Sequence, residues 1–214
     1  ANSKEGVGGF KGVFSTASAQ KQYKLTSPMH CTMFKPMIVQ GADHPTINLG
    51  EMGASVVETE LGYIMGVDIA SRIADPDEAR LASQAVVGAI DAPIQFAAHV
   101  KGKYSAADFV AANCGNKANI IIGSRFHPDD YKLDDLKITM SRDGQIIHTT
   151  TGAATKNGQW QNLMTLINQI IDQGHTIHEG DLIISGSLDA AMPAEPGKYV
   201  ADYGALGKIE FEVK

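Results

Sequence analysis

Glu58 and Glu60 stand two residues apart in Ser55-Val56-Val57-Glu58-Thr59-Glu60-Leu61-Gly62-Tyr63-Ile64-Met65. The segment is rich in β-branched and aromatic residues and reads as a β-strand. Side chains alternate faces along a strand, so both carboxylates project to one side, with Cα atoms about 6.5–7 Å apart. Two like charges that close on a half-buried sheet repel each other unless something positive lies between them. A hard divalent cation with oxygen ligands, such as Mg²⁺, resolves that conflict. The alternative is a solvated strand face, on which two glutamates cost little.

The elements around this strand follow from local signals. Asp75-Pro76-Asp77-Glu78 opens a helix, with Asp75 as N-cap and Pro76 at the first helical position. Its apolar residues run on through Val86 and Val87. Ser105-Ala106-Ala107-Asp108 is a capping-box-like start for a short helix ending near Gly115. A third helix, capped by Asn157, carries Trp160, Leu163, Met164, Ile167, Ile170 and Ile171 at helical spacing and stops at Gly174. Strands are expected at Leu136–Met140 and Gln145–Thr150, joined by a tight Asp143-Gly144 hairpin. Asn119–Ile122 and Leu182–Ser185 read as short buried strands, and Ile209, Phe211 and Val213 as one face of a last strand. Residues 1–9 are Gly-rich and polar and read as a flexible lead-in. Many strands with few helices predict an α+β protein with a mixed or antiparallel sheet. No Gly-x-Gly-x-x-Gly or Walker loop is present.

Composition narrows the function classes. With 214 residues the chain can bury one sizeable core, and 43% hydrophobic against 20% charged residues fits a globular protein rather than a disordered one. A net charge of −6 argues against a general nucleic-acid binder, which carries a basic patch. No apolar run reaches the roughly 18 residues of a membrane span, and no signal peptide is visible. Cys31 and Cys114 lie far apart, so a zinc site is not indicated and two free thiols are the default.

Four segments together resemble one family. They are Gly9-Phe10-Lys11-Gly12-Val13-Phe14-Ser15-Thr16-Ala17-Ser18-Ala19-Gln20-Lys21-Gln22, the Glu58/Glu60 strand, Gly180-Asp181-Leu182-Ile183-Ile184-Ser185-Gly186-Ser187-Leu188, and the ending Pro196-Gly197-Lys198-Tyr199-Val200-Ala201-Asp202-Tyr203-Gly204-Ala205-Leu206-Gly207. In order and spacing they resemble the 2-keto-4-pentenoate hydratase and 2-oxo-hepta-4-ene-dioate hydratase–decarboxylase group of the fumarylacetoacetate hydrolase superfamily. Each motif is weak by itself, and the ordered set is specific. The resemblance implies a mixed β-sheet roll with peripheral helices. It also implies one hydratase-like domain over 1–214, without the several tens of residues that the family places before its first motif.

The resemblance also implies roles. Lys11 matches a lysine that contacts substrate beside the reacting centre, where an ammonium stabilises an enolate. Glu58 and Glu60 match two of three carboxylates that hold Mg²⁺ or Mn²⁺. The third lies in a family segment of the form Pro-Ala-Ile-Glu-Leu-Pro. Set against Ala92-Pro93-Ile94-Gln95-Phe96-Ala97, it puts Gln95 at the ligand position, an oxygen donor without charge. Asp91 is the nearby substitute, but four strand residues displace it by about 13 Å from Gln95. His99 is also near and reads as structural. Asn113 matches a site-lining Asn-x-Gly or Asn-x-Ser position, where an amide orients a substrate carboxylate or water, and Ser187, which follows a strand, reads either as a donor to the substrate carboxylate or as a turn serine. Where relatives carry Pro-Asp-Phe-Gly, this chain has Pro28-Met29-His30-Cys31, so His30 is the nearest group able to move a proton.

The implied activity is metal-dependent hydration of a 2-hydroxy-2,4-dienoate to a 4-hydroxy-2-oxo acid. Decarboxylation of a 2-oxo-enedioate is a close variant. An acylpyruvate-type hydrolase ranks lower, because its signature is only faintly echoed in Gly66-Val67-Asp68-Ile69-Ala70-Ser71-Arg72. A degenerate homologue that binds an oxo acid without turnover is the non-enzymatic reading. The expected partner is a small 2-oxo or 2-hydroxydienoate acid, with no nucleic acid and no membrane, in a homo-oligomer. The expected compartment is the cytoplasm, or the periplasm if a signal once preceded Ala1.

Overall fold

The computed structural model describes residues 6–41, 44–94, 105–108, 110, 119–189 and 191–214. They form an α+β structure with two mixed sheets. The larger sheet contains β1 (Val7–Val13), β2 (Met29–Phe34), β3 (Ile38–Gln40), β5 (Val56–Met65), β6 (Ser83–Ala92), β7 (Asn119–Ile122) and β10 (Leu182–Ile184). Their hydrogen-bonded order is β2-β1-β10-β5-β6-β7-β3, with β11 (Met192–Pro193) added to β5. The smaller sheet has the order β4-β13-β12-β8-β9, from β4 (Thr46–Ile47), β8 (Lys137–Arg142), β9 (Gln145–Thr151), β12 (Gly197–Asp202) and β13 (Lys208–Val213).

Chain connectivity forces the larger sheet to curl. β2 and β3 lie at opposite ends of its order, yet only the 3₁₀ turn Lys35–Met37 separates them. Six strand-to-strand steps in a flat sheet would put them about 29 Å apart. A linker that short reaches at most about 14 Å. The sheet therefore rolls until its two edges approach. Met33, Met37, Ile64, Ala85, Val87, Ala89, Ile120, Ile122, Leu182 and Ile184 form one buried cluster drawn from strands around the whole roll. They fill its interior.

The outer face joins a second and larger core. Phe10, Leu61, Tyr63, Val86, Ile90, Ile121 and Ile183 cluster with Leu163, Leu166, Ile167 and Ile170 of the long helix Gln159–Asp172, and with Ile138, Met140, Tyr199, Ile209 and Phe211 of the smaller sheet. That helix is α4, after α1 (Ala17–Tyr23), α2 (Leu49–Met52) and α3 (Pro76–Ala82).

Several local expectations hold. Asp75 caps α3 by accepting from Glu78 N–H at 3.0 Å. The Asp143-Gly144 hairpin has φ of 50° and 81° at its central residues, the type I′ signature. Ser105 and Asp108 make the reciprocal capping box, with bonds of 2.8 and 3.2 Å. The end of that helix near Gly115 lies outside the described residues.

Other expectations need correction. α3 stops at Ala82, and Val86 and Val87 belong to β6. A strand buried on both faces is a continuous apolar run, which periodicity cannot separate from the end of a helix. Asn157, at φ 71°, precedes the N-cap of α4, which is Gly158. The first amide of α4 is satisfied from a distance, by Asp134 Oδ1 at 2.9 Å from Gln159 N. Residues 7–9 are strand, not a flexible lead-in. Cys31 is disulfide-bonded rather than free. The other cysteine, Cys114, lies outside the described residues.

Candidate metal centre

Strands β1, β5 and β6 of the roll place one charged cluster at an end of its apolar interior. On β5, Glu58 and Glu60 share a face. The antiparallel register sets Glu58 directly opposite Asp91 on β6, and Glu60 opposite Ala89. Directly opposed residues project to the same side, so Asp91 joins the glutamates. On β1, Lys11 belongs to the same face, paired with Ile184 of β10 and Cys31 of β2. Its Nζ donates to Asp91 Oδ2 at 2.8 Å, and both side chains are almost wholly buried.

Ligand-capable oxygens of Glu58, Glu60 and Asp91 lie within 4.8 Å of one another. Among the described residues one cation, Lys11, offsets three carboxylates, so the cluster carries two surplus negative charges when fully ionised. Burial is the main force that pushes the Glu58 carboxyl up to about 8, reinforced by Asp91 and opposed by Lys11. Burial likewise raises Glu60 well above the carboxylate range, with Asp91 and Glu58 adding to the effect and Lys11, then the Gly186 N–H, opposing it. For Lys11, burial pulls downward, but the Asp91 ion pair and the two glutamates leave it raised and firmly charged. Asp91 Oδ1 is buried with no hydrogen-bond partner among the described residues. A buried, unpartnered carboxylate oxygen is costly unless a cation or water meets it. An all-oxygen set with two charges to neutralise fits a hard dication such as Mg²⁺ or Mn²⁺.

Of the residues expected from sequence, Lys11, Glu58 and Glu60 come together. Gln95, His99 and Asn113 lie outside the described residues. Ser187 is half-buried, and its hydroxyl donates to Asp189 O at 2.6 Å, as in a local turn. His30 is on the wrong face. Cys31 pairs with Lys11, so its neighbour His30 points to the outer side, where it meets Phe10 and lies near His175. Burial first, and His175 second, hold the His30 imidazole below its usual range.

Asp91 is the residue that the spacing argument ranked too low. The family form Pro-Ala-Ile-Glu-Leu-Pro also fits Gly88-Ala89-Ile90-Asp91-Ala92-Pro93, which sets acid on acid and matches Ala, Ile and Pro. The faint hydrolase echo is spent elsewhere: Asp68 accepts from Glu179 N–H at 2.8 Å, and Arg72 pairs with Asp172 at the surface.

No protein-family model matches the chain. A 4-oxalocrotonate decarboxylase of Pseudomonas sp. is 28% identical over 156 residues, which cover 72% of this chain and 59% of the decarboxylase. The 2-keto-4-pentenoate hydratase of Paraburkholderia xenovorans is 25% identical over 194 residues, covering 90% of this chain and 71% of the hydratase. The chain thus spans less than two thirds of the decarboxylase's length. Among solved structures, 4-oxalocrotonate decarboxylase from Pseudomonas putida G7, complexed with magnesium and adipate, superposes with a TM-score of 0.87. The match covers 99% of this chain and 79% of that one, at 18% identity. The chain thus shares the fold of that decarboxylase and is similar in sequence to 2-keto-4-pentenoate hydratases and 4-oxalocrotonate decarboxylases.

Proposed function

We propose that the chain is a metal-dependent hydro-lyase that converts a 2-hydroxy-2,4-dienoate into a 4-hydroxy-2-oxo acid. The observation that carries this reading is the Glu58–Glu60–Asp91 cluster with Lys11, which among the described residues is two charges short of neutrality when fully ionised, at the end of an apolar interior. Glu58, Glu60 and Asp91 would hold Mg²⁺ or Mn²⁺, which when bound supplies Lewis-acid polarisation of the substrate's 2-oxygen and carboxylate.

The chain's own groups do the rest. In the reaction the 2-hydroxyl loses its proton and C5 gains one, which gives a conjugated 2-oxo-3-enoate. Water then adds across C3 and C4, with hydroxyl to C4 and proton to C3. Negative charge grows on the 2-oxygen in both stages. The Lys11 ammonium, fixed by Asp91, meets that charge without reorganising, and its burial makes the attraction stronger than it would be in water. Beside Lys11, Cys31 clusters with Phe14 and Val110. This apolar wall suits a hydrocarbon tail and excludes water from the reacting carbons.

Decarboxylation of a 2-oxo-enedioate is the second reading, supported by the decarboxylase relative. One observation favours hydration: the hydratase match runs over 90% of the chain. A homo-oligomer is part of the same proposal, since the sheet edge β9 leaves Ile146 and Ile147 exposed.

The test follows absorbance of 2-hydroxypenta-2,4-dienoate with Mg²⁺, with Mn²⁺ and with chelator. Metal-dependent loss with a 4-hydroxy-2-oxo acid as product is the expected result. Carbon dioxide release from 4-oxalocrotonate without dienoate turnover would select the second reading. Neither reaction, with no thermal shift from metal plus oxalate, would sink both.

A further inference from the structure

One peptide unit links Glu60 to two polar side chains that the proposed chemistry does not use. Gly186 N–H donates to Glu60 Oε2 at 2.8 Å. The carbonyl of that same peptide, Ser185 C=O, accepts from Asn162 Nδ2 at 2.9 Å and from the Ser15 hydroxyl. The three elements come from distant parts of the sequence: the segment after β1, the first turn of α4 and the loop after β10. Ser15, Asn162 and Ser185 are 1%, 3% and 0% exposed, so none of these bonds competes with bulk water.

The backbone there is one that could turn over. Gly186 sits at φ +84°, and a Cβ on it would lie 2.5 Å from Ser15 Oγ and 3.0 Å from Gly12 O. Glycine has little conformational preference of its own at such a position. Orientation of the 185–186 peptide is therefore set by what holds its two ends. The Ser185 hydroxyl accepts from Leu61 N–H at 3.1 Å, and Ser185 N–H donates to Leu61 O at 2.8 Å, which anchors the residue beside β5. Two donors on the carbonyl then fix the plane and polarise it, which strengthens the N–H as a donor on the far side.

We propose that Ser15 and Asn162 are positioning residues for Glu60, acting through the 185–186 peptide. The inference rests on the metal-centre reading above, but its structural half does not need a metal. Carboxylate ligands are oriented by their outer partners, and loss of such a partner typically weakens metal binding about 10–100-fold. Here the outer partner is an amide whose direction is itself under side-chain control.

The experiment uses Ser15→Ala, Ser15→Thr and Asn162→Leu in the full chain, with Mn²⁺ binding by calorimetry and the Gly186 amide proton by NMR in metal-free protein. Ser15→Ala should weaken Mn²⁺ binding about tenfold and move the Gly186 amide proton upfield. Ser15→Thr, which keeps the hydroxyl, should restore both, whereas general loosening of the fold would leave threonine no better than alanine. Asn162→Leu removes the second donor and should act in the same direction. If it fails to fold, the Ser15 pair still decides. Mn²⁺ affinity within twofold of the parent in Ser15→Ala, or an unmoved Gly186 proton, overturns the proposal. Should the parent itself bind no Mn²⁺, the metal reading falls. The amide shift alone then decides whether Ser15 and Asn162 direct the bond to Glu60.

Discussion

The two faces of β5 are built from interleaved residues and obey different physics. Val57, Leu61 and Tyr63 face outward into the large core shared with α4 and the smaller sheet. That face carries no charge: the Tyr63 hydroxyl donates to Gln159 Oε1 at 2.6 Å, and the neighbouring Thr59 Oγ1 is buried with no hydrogen-bond partner among the described residues. Glu58 and Glu60 face the interior of the roll, where like charges meet and an oxygen of Asp91 goes unpartnered. One face is optimised for packing and the other holds unresolved charge, although they share a backbone. Such local conflict inside an otherwise consistent fold is where function is expected.

The sharpest way to break this contrast is to remove the compensating cation. Lys11→Met should cut dienoate turnover by about 10³-fold, because the charge that meets the developing enolate disappears. Steady-state rates at saturating Mg²⁺ would show it, and a rate within threefold of the parent would remove Lys11 from the chemistry. On the opposite face, Leu61→Ala should cost about 3 kcal/mol in urea unfolding, since Leu61 is fully buried. Mn²⁺ affinity of the folded Leu61→Ala protein should stay near the parent's; a large loss would mean that the faces are not separable.

Acidity tests the charged face alone. Glu58 holds its proton up to about 8, and a cation must displace that proton to bind. Metal affinity should therefore fall about tenfold for each pH unit below 8 per proton released. Calorimetry in buffers of different ionisation heat would count the protons. The metal-free protein should behave in the opposite sense. A carboxyl raised in the folded state gives stability that is present below its unfolded value and is lost as pH rises through about 8. A flat profile over pH 6–8 would mean that the carboxylates are not coupled as described. The smallest effect expected is at Ile90, the outward neighbour of Asp91. Ile90→Val should cost about 1 kcal/mol and leave metal binding unchanged, measured by denaturant midpoint and Mn²⁺ titration.

How much was legible varies by the range of the interaction. The Asp143-Gly144 hairpin and the Asp75 cap are written in adjacent residues, and both appear as expected. The β6 strand was hidden behind α3, because a run buried on both sides carries no alternation. His30 looked available for proton transfer only while its face was unknown.

The sequence by itself determined that Glu58 and Glu60 project together, because the two-residue period of a strand is a property of the backbone. It also determined the order of the motifs that tie the chain to its relatives. Only the tertiary structure decided that Asp91 completes the set and that Lys11 is its ion-pair partner. Those choices depend on the register of β5 against β6 and on the order of strands around the roll. Both are fixed by which apolar faces can be buried at once, a property of the whole molecule that no local window contains.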